Sequence, residues 1–337
     1  MAATPGAAMN RKTVPVLLAI IAGLLLMLLV LRGNEGERVS GELLLPNFGP
    51  VANDTTSITI QGPEGSDAVA LRRVEEQWQV SNRDNYAADI GKLRQLVIAL
   101  AEARILEEKT SDPALYERLG VDDPESGGKG SRVTVAGADF EYTVILGNQT
   151  QGKYRYARDA AAAPSYLLDK DPSLPTTADD WLLADLLDIA AKRVRQVRIA
   201  HADGETIVIS KDTEEQTDFS VLDMPAGREL SYATVANGIG GALSALKLES
   251  VRPGVESPAT TTTEFLTWDG LAVTAEIIAD GDASWIRFSA ATSDAEATAT
   301  DEAADINRRL AGWQYQLPDY KKDLLVRRWD DLLKAID

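Results

Sequence analysis

His201 is the single histidine in a chain of 337 residues, and Asp203 stands two positions on. A histidine with a carboxylate beside it is the usual general base. Here both sit in AHADGET, where Ala202, Asp203 and Gly204 read as a turn between two strands. A turn tip is solvated, so His201 is expected to face solvent on a hairpin rather than to act on a substrate. A second candidate is DPESGGKGS, from Asp123 to Ser131. A phosphate loop needs G-x-x-x-x-G-K-[ST] opening a helix. In this chain Gly130 follows Lys129 and the strand-like SRVTV comes next, so this stretch predicts a turn.

Metal and nucleophile chemistry lack their residues. One histidine and no cysteine remove His-rich metal sites, cysteine-ligated zinc, disulfides and thiolate catalysis. H-E-x-x-H, the D-x-[DN]-x-[DN]-G calcium run and G-x-S-x-G do not occur. The sequence therefore predicts no catalytic, cofactor-binding or metal-binding residue and no enzyme. Acid hydrolysis needs two carboxylates roughly 5–9 Å apart in a cleft, which spacing along the chain does not reveal. GWQYQLPDY concentrates aromatic residues: Trp313, Tyr315 and Tyr320. They could stack on a sugar or fill a partner interface. The alternative is that they tie the C-terminal helix to its domain. Lys321, Lys322, Arg327 and Arg328 form a local basic patch or a solvated helix face.

The charge balance sets the wider limits. Lys and Arg total 34 against 52 Asp and Glu, a formal charge of −18. That disfavours nucleic acid, whose phosphates need a basic surface. Residues 13–31, TVPVLLAIIAGLLLMLLVL, carry no charge. A helix of that length spans about 28 Å, close to a bilayer core. Arg11 and Lys12 precede it and Arg32 follows, which predicts an inner-membrane signal anchor, a cytoplasmic N-terminus and a periplasmic bulk. The expected organisation is a tail at 1–12, a transmembrane helix at 13–31 and a linker at 32–54.

Beyond the linker the pattern is α+β. ITI, VALRR and QWQV read as three short strands, and YAADIGKLRQLVIALAEARIL as an amphipathic helix with Ile90, Leu93, Leu96, Val97, Leu100 and Ala103 on one stripe. A second strand group follows, and TTADDWLLADLLDIA, residues 176–190, predicts another helix. The order then recurs. VRQVRIAHADGETIVIS echoes TTSITIQGPEGSDAVALRR, SYATVANGIGGALSALKL echoes the first helix with Tyr232, Val235, Ile239, Leu243 and Leu246 in stripe, and VRRWDDLLKAI predicts a closing helix that echoes DDWLLADLLDI. Ile58 matches Val197, Trp78 matches Phe219, Leu100 matches Leu243, Arg155 matches Arg287 and Trp181 matches Trp329. Retained order predicts an internal duplication: two similar α+β domains, 55–192 and 193–337, of antiparallel strands and packed amphipathic helices. Residues 290–304, small and acidic, predict an exposed loop.

The apolar N-terminal run, WQVSN…YAADIGKLRQLVIALAEARIL, DPALYERLGVDDP, TVILGNQTQGKYRYAR with SYLLDK, and GWQYQLPDYKKDLL together resemble the domain-of-unknown-function 4340 family. The stretch from Tyr116 to Val121 departs from the family's aromatic-glycine-leucine step. The resemblance implies a membrane-anchored extracytoplasmic protein, similar to auxiliary proteins of gliding-motility-type ABC transporters, and carries over no catalytic residue. The expected function is a non-enzymatic accessory or scaffold subunit with a membrane-protein partner, ABC transporter subunits among the candidates. The alternatives are a cell-envelope module that binds glycan or polypeptide by the aromatic patch or an exposed sheet edge, and an acidic-residue hydrolase.

Overall fold

The computed structural model describes residues 41–66, 68–150, 152–293 and 298–335. Among them no helix is long and apolar enough to cross a membrane. The longest, α1 (Ile90–Glu102), has 13 residues and spans only about 20 Å. This corrects the expected fold of an N-terminal transmembrane helix ahead of the α+β part. The span expected at 13–31 lies outside the described residues, and the anchored topology, the inner-membrane location and the periplasmic bulk have no helix among the described residues to rest on.

What the described residues form is a sheet-rich α+β fold. The first large sheet takes β1 (Ser57–Gln61), β2 (Val69–Val74), β3 (Gln77–Val80), β4 (Tyr86–Ala87), β5 (Ile105–Thr110), β6 (Ser131–Ala136), β7 (Glu141–Thr150), β8 (Tyr154–Asp159) and β9 (Ser165–Leu168). Its order is β4-β3-β2-β1-β6-β7-β8-β9-β5. The strand β10 (Asp185–Leu187) comes next, then β11 (Val194–His201), β12 (Thr206–Ser210), β13 (Ser220–Leu222), β14 (Leu246–Lys247), β15 (Ser250–Pro253), β16 (Thr261–Thr267), β17 (Leu271–Asp280), β18 (Ala283–Thr292) and β19 (Trp313–Gln316). The second large sheet runs β13-β12-β11-β16-β17-β18-β19-β15, while β10 and β14 pair separately. Both large sheets are antiparallel throughout, and with β4 set aside their orders match strand for strand.

The backbone joints outside the sheets match as well. Asp89 N–H donates to Trp181 C=O at 2.8 Å, and Ser231 N–H donates to Leu332 C=O at 2.8 Å. Leu182 bridges Ala88 as Leu333 bridges Leu230. Ile105 N–H reaches Glu42 C=O at 2.9 Å, and Leu248 N–H reaches Ala184 C=O at 2.9 Å. Each sheet is thus opened by a segment that pairs after its helix and closed by one that pairs before it. The opening segments begin near residues 42 and 184. In this frame Trp181 stands opposite Leu332 rather than Trp329. Leu44, Leu45 and Phe48 of the first opening segment are buried.

Helix α1 follows the predicted stripe except at its first residue: Ile90 is exposed, while Ala103 is buried just past the helix end. Leu93, Leu96, Val97 and Leu100 are buried, and the Asp89 carboxylate caps Lys92 N–H at 3.1 Å. α2 (Tyr116–Leu119) stops at Gly120, whose φ of +65° suits glycine. Three helices predicted from periodicity are shorter or absent. Residues 176–190 form one 3-10 turn (Asp179–Trp181) and then β10. Leu186 and Leu187 are both buried, because this stretch is enclosed on opposite sides and bonds to β14; tertiary contacts override its helical spacing. The helix expected at 232–246 shrinks to α3 (Asn237–Gly240). Its glycines weaken it, and a Cβ at Gly240 would lie 2.1 Å from the Phe219 ring. Exposed Tyr232 is outside it. The closing helix is one turn, α6 (Trp329–Leu332), after which the chain extends to meet Leu230.

Between these, α4 (Thr300–Leu310) buries Ala303, Ile306 and Leu310, so helix begins inside the stretch read as an exposed loop. α5 (Asp319–Leu325) packs near α3. One contiguous apolar core runs from Phe48 and Ile58 through Trp181, Leu182 and Leu186 to Val197, Phe265 and Tyr315.

Candidate functional site

His201 closes β11, with its ring inward. It is 7 % exposed. Its Nε2 lies 3.0 Å from Arg327 C=O and its Nδ1 2.9 Å from Thr261 Oγ1. A carbonyl only accepts, so Nε2 carries a proton and donates to it, while Nδ1 shares a hydrogen bond with the threonine hydroxyl. The solvent-facing expectation is corrected: the hairpin end is roofed by the C-terminal segment, which sequence pattern does not show. Asp203 does not pair with the histidine but with Arg328, at 2.8 Å, which also reaches Glu205. His201 is a pin for residues 325–329, helped by Thr263 Oγ1 donating to Leu325 C=O at 2.6 Å. His201→Phe keeps a planar ring, slightly larger, but strands a buried hydroxyl and a carbonyl. It should cost about 1–3 kcal/mol in urea unfolding.

The loop at 127–130 spends the N–H groups of its three glycines on its own backbone, and Gly127 N–H donates to Pro124 C=O at 3.0 Å. Gly128 N–H donates to Asp123 C=O at 2.9 Å and Gly130 N–H to Asp122 C=O at 3.1 Å. Lys129 pairs with Glu117 at 2.8 Å.

The three aromatic candidates are not brought together on a surface. Trp313 and Tyr315 alternate along β19, and both pack on Tyr86 of the first sheet, with ring centroids 5.0 and 6.2 Å away. Tyr315 is fully buried while Tyr320 is 67 % exposed. Burial pushes the Tyr86 and Tyr315 phenols up from their usual range. Trp313 and Tyr315 therefore join the two sheets. The basic residues nearby are also engaged. Lys321 donates to Ala242 and Ser244 carbonyls at 3.1 and 2.6 Å, Lys322 pairs with Asp319 at 2.6 Å, and Arg327 lies 3.8 Å from Asp331.

A cleft of about 560 Å³ opens beside this joint, lined by Asp185, Leu186, Asp188, Lys247, Glu302 and Arg309 among others. Its carboxylates have structural partners. Asp185 pairs with Lys247 at 3.0 Å, Asp188 accepts Ala245 N–H at 2.8 Å, and Glu302 pairs with Arg193. Arg193 also holds Asp269 at 2.7 Å, and that hydrogen bond draws the Asp269 carboxyl below its usual range. Among the described residues no group of three or more His, Cys, Asp or Glu could hold a metal ion.

The sheet edges differ more sharply. β5 carries exposed Glu107 and Glu108. β15 ends in Pro253, and its Arg252 is held by Gln314 at 2.9 Å. Charges and proline block the addition of a strand. On the other side of the first sheet, β3 is covered by β4. The corresponding strand of the second sheet, β13, has no such cover among the described residues. Its residues Ser220, Val221 and Leu222 carry neither charge nor proline. Leu222 and, just beyond, Met224 are 40 and 39 % exposed. Sequence reading missed this edge, because it is visible only as an element present in one sheet and missing from the other.

No curated protein and no solved structure matches the chain. A family described as a domain of unknown function, DUF4340, matches residues 78–264, more than half of the chain. The match runs from β3 to β16 and contains β13. It carries no membrane anchor and no link to a transporter, which corrects the expected ABC-type association and membrane-protein partner. Within those limits the assignment is plain: the chain belongs to the DUF4340 family.

Proposed function

We propose that this chain is a non-enzymatic scaffold module that holds a polypeptide partner by adding an extended segment of it to the open edge of β13. The observation that carries the reading is the missing cover strand: β3 has β4, β13 has no counterpart among the described residues, and the residues left there are uncharged with exposed Leu222 and Met224. An added strand bonds through its backbone and gains specificity from alternate side chains. The titratable groups of the cleft and of the sequence candidates are engaged in holding the fold, which supports a binding role over a chemical one. The glycan reading has less support, since Trp313 and Tyr315 face Tyr86 instead of solvent.

Site-specific photo-cross-linking tests it in cells making the full chain. A photoreactive residue at position 220 should give a discrete higher-mass adduct, and Leu222→Lys should abolish it. The same residue at position 108, on the guarded edge, should give none. Absence of the adduct at 220, or its persistence in Leu222→Lys, would overturn the reading.

A further inference from the structure

The open edge lies in a one-sided electrostatic setting that decides what can bind there. Residues 212–224 contain five carboxylates, Asp212, Glu214, Glu215, Asp218 and Asp223, and no lysine or arginine. All five are exposed. The loop bearing the first four is held beside the start of β13. Gln216 Oε1 accepts Asp212 N–H at 2.9 Å, and its Nε2 donates to Asp218 C=O at 2.6 Å. Asn237 joins the loop to the strand: its Nδ2 donates to the Asp218 carboxylate at 2.6 Å, and its Oδ1 accepts Phe219 N–H at 2.9 Å. Asp223 follows the last strand residue directly.

The adjacent cation does not neutralise them. Lys211 is 4 % exposed. Its ammonium donates to Ala191 C=O at 3.0 Å and lies 4.4 Å from the Phe219 ring centroid. It points into the molecule. The added strand therefore meets carboxylates at both ends of β13, with exposed Leu222 and Met224 beside them.

Resting on the edge reading, we infer that the segment taken up by β13 is a basic one, with lysine or arginine alternating with aliphatic residues. A second copy of this chain is a poor occupant. Edge-to-edge pairing of two β13 strands would bring both acidic flanks together, and like charges across a ladder repel. A neutral segment could form the same backbone bonds but would gain nothing from the flanks. An acidic segment would be repelled.

The probes are three labelled octapeptides that alternate valine with lysine, threonine or glutamate, titrated against the full chain by fluorescence anisotropy. The lysine peptide should bind about tenfold more tightly than the threonine peptide at low salt, with the gap closing as salt screens the charges. The glutamate peptide should not bind. Asp212→Asn with Glu214→Gln and Glu215→Gln should bring the lysine peptide close to the threonine one. Glu75→Gln with Glu76→Gln, exposed acids on a hairpin of the first sheet, should change nothing. All these sites are exposed, so folding should survive.

Equal binding of the lysine and threonine peptides, lost in Leu222→Lys, would overturn the charge selection and leave the edge reading standing. Lysine-peptide binding that ignores both the triple variant and Leu222→Lys would reflect overall charge and overturn both. A concentration-dependent dimer abolished by Leu222→Lys would make the occupant a second copy, overturning the inference.

Discussion

Trp181→Ala should lower the unfolding free energy by about 3–5 kcal/mol, read from urea titrations followed by circular dichroism. The indole is fully buried, and its Nε1–H donates to Pro175 C=O at 3.0 Å. Its own carbonyl accepts Asp89 N–H at the cap of α1. The flanking residues fasten the same strap: Arg83 pairs with Asp179 at 2.6 Å, and Leu182 bridges Ala88. Truncation opens a cavity where the closing segment of one sheet becomes the opening segment of the next. Trp329 supplies the contrast. It is only partly buried, and Leu332 holds the place that corresponds to Trp181. Trp329→Ala should therefore cost clearly less, and an equal cost would refute the structural equivalence of Trp181 and Leu332.

That equivalence marks how far sequence reading reaches. Alternation placed Ile58, Ile60, Val197 and Ile199 in strands, and the 3.6-residue stripe placed α1, because each of those patterns is enforced by one buried face. The stretch around Leu182, Leu186 and Ile189 has the same stripe and is not a helix. It is covered from more than one side, so burial no longer selects a period. Gly238, Gly240 and Gly241 weaken the second stripe in a way spacing alone does not register. Trp181 and Trp329 share a residue type and a rough spacing, but a shift of three residues separates the chemical match from the backbone match.

The candidate site was less legible for a different reason. Single residues with reactive side chains drew attention first, and the fold spends them on structure: His201 on a carbonyl and a threonine, Lys129 on Glu117, Trp313 and Tyr315 on Tyr86. The open edge of β13 depends on what is absent next to it. Tyr86 and Ala87 cover β3, and among the described residues no comparable pair covers β13. An exposed sheet edge could be named as a possibility from the strand content. Which of the edges lacked charge, proline and cover required the strand order.

Phe48→Ala should also cost about 3–5 kcal/mol, a result no linker would give. The ring is fully buried, and its centroid lies 5.5 Å from that of Tyr142 and 6.1 Å from that of Phe140. Leu44 N–H donates to Ala103 C=O at 2.8 Å at the end of α1, and Glu42 C=O accepts Ile105 N–H of β5 at 2.9 Å, so the segment is bonded to the sheet as well as packed on it. The second sheet has the same arrangement, with β10 paired to β14 and Leu186 and Leu187 buried. Removing Phe48 therefore takes away the apolar contact that presses the opening segment against β7, while its backbone bonds remain. Limited proteolysis separates local from global loss. Cleavage confined to 41–54 with an unchanged urea midpoint would show that the segment is a detachable strap. A lowered midpoint with cleavage spread through the first sheet would show that it is part of the cooperative core, as its full burial requires.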